Sequence, residues 1–401
     1  MRGLGVEGGT AVEGGTGVEG GTGVAVPGEA YAAALAGLPG MGPARLVAAL
    51  RRWSPAEAWA RAAAGTLGIE APNAGELAAL WRRHARAIDV AAGWVALEAV
   101  GVTVGVLGHA GYPAALAADH EAPAVLFSRG DVPAALAGRR VAVVGTRNCT
   151  RYGRDVAYEL GRDLAANGVS IVSGLALGVD GAAHSGVLAA GPGAASPVAV
   201  VGSGLDVVYP RRHGRLWQDV AASGALLSEA PLGAAPEPWR FPVRNRIIAA
   251  LAEVVVVVES PSSGGSRHTV EAAIARDRPV LAVPGPVRSP TSDLPNQLLS
   301  EGCHPARDAL DVLVALDLTP PPGMAVLARQ PPADTRPAPD PAAAGVLEAF
   351  GWEPATFEQL VLVSARSPTV VSLALAHLER DGWVAGGGGW WERLAVPAST
   401  G

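Results

Sequence analysis

Several short apolar runs end in residues suited to holding an anion. Val141–Val144 is followed by Gly145-Thr146-Arg147, and Ser170–Val172 by Ser173-Gly174-Leu175-Ala176. Val198–Val201 leads to Gly202-Ser203-Gly204-Leu205-Asp206, and Ala225–Leu227 to Trp239-Arg240-Phe241-Pro242-Val243-Arg244-Asn245-Arg246. Val254–Val258 leads to Ser263-Gly264-Gly265-Ser266-Arg267-His268-Thr269, and Val280–Val283 to Pro284-Gly285. Glycine and serine let backbone N–H groups approach phosphate oxygens, and a helix N-terminus adds partial positive charge. Arginine adds bidentate contacts. Offered several times over, this chemistry suits a polyphosphate backbone better than one small phosphate. Phe241, between Arg240 and Arg244, adds a flat apolar surface among cations, as needed to stack a base while holding its neighbours' phosphates. The plainer alternative is that Phe241 packs its own loop and the arginines are surface charges.

Other chemistries find less support. Asp180 and His184, at i and i+4, could form an acid/base pair, but a helix N-terminal Asp and a core His explain them more simply. There is no G-x-S-x-G elbow and no H-E-x-x-H motif. Gly202-x-Gly204 begins a dinucleotide fingerprint, yet Val207 stands where its third Gly belongs. All 31 basic residues are Arg, so no lysine exists to complete a Walker sequence. Residues 264–271 partly resemble the phosphate loop of nucleotide phosphoribohydrolases of the lysine-decarboxylase-like group. Arg267 and His268 break that pattern around Glu271, leaving a phosphate cradle at Gly265 and Ser266. A nucleotide-sensing regulator is the other alternative. Cys149 and Cys303 lie far apart without metal-ligand spacing, so no disulfide framework, metal or cofactor is expected, and a reducing cytoplasm fits.

The elements that must position these residues follow from periodicity. Strand-like runs alternate with helical patterns such as Tyr152–Ala166, where Val156, Leu160 and Leu164 recur at i, i+4. Five consecutive valines at 254–258 suit only a strand buried on both faces. The reading is an α/β protein with a doubly wound, mostly parallel sheet over residues 99–316. Residues 28–98 form a small helical domain of the helix-hairpin-helix type, because Leu38–Leu46 places two glycines in a turn able to expose N–H groups to a phosphate; a plain turn between core helices is the alternative. Residues 317–341 are a Pro-rich linker. Residues 342–401 carry helix, helix and hairpin, the parts of a winged helix. Residues 1–27, with three GVEGGT-type hexapeptides, have nothing to bury and are expected to be disordered. The net charge of −6 argues weakly against nucleic acid, but 12 Arg face only 8 acidic residues between Arg139 and Arg246. Neither a membrane span nor a signal peptide is visible.

In order, these motifs resemble the DNA-processing protein DprA (Smf) family: Val141–Arg147 with Tyr152-Gly153-Arg154, Ser173–Ala176 with Gly178-Val179-Asp180, Gly204–Pro210, Phe241–Ala249 and Ala282–Gly285. The resemblance covers about residues 100–316. It implies an extended Rossmann-like domain that binds single-stranded DNA without catalysis, protects incoming DNA in natural transformation and loads the RecA recombinase. It also implies a homodimer. On this basis Arg147 is a phosphate-binding arginine, and Ser173, Gly174 and Leu175 form a backbone phosphate pocket. Arg211 is a basic residue after Tyr-Pro, and Phe241, Arg244 and Asn245 form the base-contacting loop.

Overall fold

The computed structural model describes residues 26–318, 334, 336–351 and 354–394. The chain divides into two compact units, residues 1–319 and 320–401. The hexapeptide repeats and most of the Pro-rich linker lie outside the described residues.

Nine strands of the first unit form one sheet: β1 (Thr103–Val106), β2 (Val125–Gly130), β3 (Arg139–Val144), β4 (Val169–Ser173), β5 (Val198–Val201), β6 (Ala225–Ser228), β7 (Val254–Val257), β8 (Val280–Ala282) and β9 (His304–Pro305). Their order is β1-β2-β6-β5-β4-β3-β7-β8-β9. From β6 to β9 all neighbours are parallel, while β1 and β2 add an antiparallel edge beside β6. The sheet is therefore doubly wound and mostly parallel, as the valine-rich runs predict. Every residue of β7 is buried, and Val254–Val257 pairs in register with Val141–Val144. Alternation divides the residues between two faces. Val198 and Val200 pack with Ile247 and Ile248 of the helix Arg240–Leu251, whereas Ala199 and Val201 face a core shared with Leu35, Trp59 and Trp81.

Those three residues belong to the helices Gly28–Ala36, Pro55–Ala64 and Ala74–Ala85. Ser54 caps the second of them through a reciprocal capping box with Glu57. The helical segment thus shares one continuous core with the sheet.

The chain winds from β3 through β4 and β5 to β6 on one side, then crosses to β7, β8 and β9 on the other. The order reverses between β3 and β7, which places a topological switch point there. In open α/β sheets the ligand crevice lies outside the carboxyl ends of the strands at such a point.

In the second unit, helices Pro341–Ala349, Phe357–Ser364 and Pro368–Arg380 pack with a small sheet of β10 (Ala355–Thr356), β11 (Val384–Gly387) and β12 (Trp390–Arg393). Val346, Leu360, Val371, Leu375 and Leu378 form its core. The hairpin turn sits at Gly388 and Gly389, both at positive φ, and β11 runs through Gly386 and Gly387. The result is a winged helix.

Candidate nucleic-acid interface

A crevice of about 510 Å³ opens at the switch point. The loop after β3 supplies Gly145, Thr146 and Arg147, and the loop after β7 leads into Gly265 and Ser266 at the start of the helix Ser266–Ile274. Phe241, Arg244 and Asn245 enter from the first turns of Arg240–Leu251. Strand ends and helix starts meet here because parallel strands all deliver their carboxyl ends to the same edge.

Arg147 is exposed, with its guanidinium carbon 4.6 Å from the centre of the Phe241 ring. The Tyr209 ring lies 5.5 Å from Phe241, tilted by 39°. Phe241 is half-buried and presents an aromatic ring beside a cation. Asn245 donates from Nδ2 to the Gly265 carbonyl at 3.2 Å, tying the two helix starts together. Thr146 N–H donates to the Glu259 carbonyl at 2.6 Å, which fixes the β3 loop.

Four expected contact residues lie below this surface. The Ser173 hydroxyl is fully buried and donates to the Val143 carbonyl at 2.6 Å. The N–H groups of Gly174 and Ala176 donate to Asp180 Oδ2 at 3.1 and 3.4 Å. Of the backbone pocket expected for a phosphate at Ser173, Gly174 and Leu175, the Gly174 N–H is thus engaged by the protein's own carboxylate. Leu175 is buried and held at φ 54°, a left-handed conformation uncommon outside glycine. Gly204 N–H is spent on the Ala234 carbonyl at 2.9 Å.

Arg244 lines the crevice from below. Only 7% of it is exposed. Its guanidinium donates to the Val200 carbonyl and lies 3.7 Å from Asp180. A Cβ on Gly174 would run into that guanidinium, so glycine is required where the loop crosses it. Burial pushes the Asp180 carboxyl up, against the pull of Arg244 and the two N–H groups. Burial likewise pulls Arg244 down, opposed by Asp180. The pair forms the floor of the crevice, and an arginine in this position braces the strand loops.

Of the remaining expected residues, Arg211 is exposed in a short turn, Arg211–His213, whose His213 ring lies 3.0 Å from the Leu175 carbonyl. It flanks the crevice without lining it. Arg240 stacks on Trp239 at 4.5 Å and lines a neighbouring crevice. His184 is fully buried, and burial lowers its pKa to about 3, so it is neutral and remote from any acid/base exchange with solvent.

Sequence reasoning missed Glu259. It follows β7, is 2% exposed, and accepts from Thr150 N–H and Oγ1 at 2.7 Å each. A single carboxylate directly after an all-valine strand was the available signal.

A doubly wound α/β domain followed by a winged helix is thus the class of protein in hand. Residues 108–317 match the family model described as DNA recombination-mediator protein A, and residues 330–389 match the DprA winged helix domain. The chain belongs to the DNA recombination-mediator protein A (DprA) family. It is 38% identical over 205 residues to the DNA processing protein DprA of Bacillus subtilis, covering 51% of this chain and 68% of that one. It is 41% identical over 192 residues to Protein Smf of Escherichia coli, covering 48% of this chain and 50% of that one, so it spans about half the length of the latter. Among solved structures, DprA from Streptococcus pneumoniae is similar, with 30% identity, a TM-score of 0.57, and coverage of 72% of this chain and 96% of that one. Among the described residues, no single helix is long and apolar enough to cross a membrane.

Proposed function

We propose that this chain binds single-stranded DNA without strong sequence preference at the switch-point crevice and mediates recombination. In that role it protects incoming DNA during natural transformation and loads RecA onto it. It acts in the cytoplasm, as a homodimer and without catalysis. One observation carries the binding mode: the Arg147 guanidinium lies against the Phe241 ring at the mouth of the crevice. A base stacks on Phe241 while Arg147 holds an adjoining phosphate. The helix start Gly265-Ser266 offers backbone N–H groups to a neighbouring phosphate, the loop Gly145-Thr146 sets the place of Arg147 beside it, Asn245 holds the two sides together, and Arg211 extends the positive flank. Ser173, Gly174, Leu175, Gly204 and Arg244 keep the edge in shape.

Membership of a recombination-mediator family supports the recombination role. The phosphoribohydrolase reading would need Glu271 at a reaction centre, but Glu271 is exposed and lies 3.6 Å from His268 on its own helix. In the winged helix, the second helix of its helix pair (Pro368–Arg380) carries one arginine, Arg380, engaged with Asp381 at 2.7 Å. That charge pattern disfavours reading a DNA groove and suits a protein contact. Competition tests the proposal: a labelled single-stranded oligonucleotide is displaced by unlabelled single strand, and not by equimolar ATP or NAD. Displacement by either nucleotide at lower concentration than the oligonucleotide would sink it.

A further inference from the structure

We propose that a second crevice, between the hairpin Leu38–Leu46 and the carboxyl ends of β5 and β6, is a nucleobase pocket on the same strand path, with Trp239 as its stacking face. The inference rests on the single-strand reading of the first crevice. It gives the helical segment a role different from the phosphate contact its hairpin suggests.

The space is about 600 Å³, within the range of ligand sites. Its walls are fastened. Trp81 Nε1 donates to the Pro39 carbonyl at 2.9 Å and Arg45 Nη1 to the Gly40 carbonyl at 2.8 Å, which fixes the hairpin. Across from it, Gly204 N–H donates to the Ala234 carbonyl at 2.9 Å and Gly233 N–H to the Asp206 carboxylate at 2.9 and 3.0 Å, which fixes the loop after β6. A pocket built this way asks little ordering of itself on binding.

Trp239 stands at the N-terminal end of the helix Arg240–Leu251 and is 47% exposed, unusual for the largest aromatic side chain. Arg240 stacks on it at 4.5 Å, repeating the cation and ring pairing of Arg147 and Phe241. Arg240 Nε is buried and makes no hydrogen bond among the described residues. Trp239 and Phe241 are two residues apart, and Arg244 lines both crevices. A strand crossing the start of this helix passes from one space to the other.

The wall carries two carboxylates, Glu229 and Glu237, among its arginines, and one of them stands beside the stacking face. Glu229 is held by Arg246 at 2.7 and 2.8 Å. Glu237 is half-exposed, accepts from the Trp239 indole N–H and lies 4.0 Å from Arg240. The other oxygen of the Glu237 carboxylate, Oε1, can accept from the N–H groups of a base, a contact that a phosphate oxygen cannot supply.

The test compares oligothymidylates of about 4 and about 16 nucleotides, the limits of common single-strand site sizes. Trp239→Ala is expected to weaken the longer one by about 5- to 150-fold, as for loss of one stacked base. The salt slope and the short-oligonucleotide affinity stay unchanged. Phe241→Ala weakens both lengths. Trp239→Phe retains long-oligonucleotide affinity but loses the indole fluorescence quenching that the longer ligand, and not the shorter, causes in the wild type. Unchanged long-oligonucleotide binding by Trp239→Ala overturns the proposal, as does an equal loss at both lengths. If Trp239→Ala melts early, the quenching comparison decides: quenching that persists in Trp239→Phe overturns the pocket. Failure of the wild-type chain to bind either length overturns the single-strand reading as well.

Discussion

Replacing Phe241 by alanine separates stacking from charge. The ring is half-buried and carries Arg147 at 4.6 Å. Removing it takes away one base platform, about 1–3 kcal/mol, or roughly 5- to 150-fold in affinity. It also removes the surface on which Arg147 rests, worth about 0.5–1 kcal/mol where exposed. The two residues act on adjoining parts of one nucleotide, so their losses should not add. A double-mutant cycle with Arg147→Ala is expected to give a coupling of about 0.5–3 kcal/mol, as for side chains in contact. The slope of log affinity against log salt distinguishes the partners. Arg147→Ala flattens it by about 0.7, the value of one single-strand phosphate contact, whereas Phe241→Ala leaves it unchanged. Fluorescence anisotropy with a labelled oligonucleotide over a salt series measures both, beside thermal melting of each variant. If Phe241 only packs its loop, the alanine variant melts early in proportion to its loss of binding. Early melting, or normal binding, refutes the stacking argument.

Three other substitutions or deletions follow from the same geometry. Arg244→Ala strands the buried Asp180 carboxylate and should cost about 3–5 kcal/mol in denaturant unfolding; an early-melting variant is expected, and normal melting with a flatter salt slope would restore Arg244 as a phosphate ligand. His184 has a folded pKa depressed to about 3, so the stability it contributes is complete above its ordinary pKa of about 6.5 and declines as pH falls below that. Between pH 7 and pH 5 the loss is on the order of 2 kcal/mol, and His184→Leu should remove that part of the decline; identical pH profiles of melting temperature would contradict it. Removing residues 320–401 should leave single-strand affinity within about twofold, since no phosphate contact is assigned there, and a loss of ten times or more would place DNA contacts in the winged helix.

Much of the central sheet is legible in the sequence, since apolar runs bounded by Gly, Ser and Arg mark β3 to β8. The edges are harder. β9 is two residues long, His304-Pro305, with no apolar run to announce it. β1 has the pattern Thr-Val-Gly-Val and gains its place only by pairing with β2. Arg147 and Phe241 could be found because each follows a recognisable break near the carboxyl edge. Arg244 reads as a contact residue by its neighbours, while the helix period turns it inward: Arg244, Ile247, Ile248 and Leu251 fall at i, i+3, i+4 and i+7, all buried. What periodicity could not supply was its partner, because Asp180 is 64 positions away in sequence and meets it only when β4 and β5 lie side by side. Asp180 also accepts from the Gly174 and Ala176 N–H groups, only six and four positions away, a local bond that residue types alone do not announce.

The most direct test of the single-strand account is a binding titration of the whole chain with single-stranded and duplex DNA of equal length, repeated from low to high salt. The account predicts tighter binding to the single strand at every salt concentration, with log affinity falling by about 0.7 per phosphate contacted for each tenfold rise in salt. Equal or tighter binding to the duplex, or a single-strand affinity indifferent to salt, would contradict it.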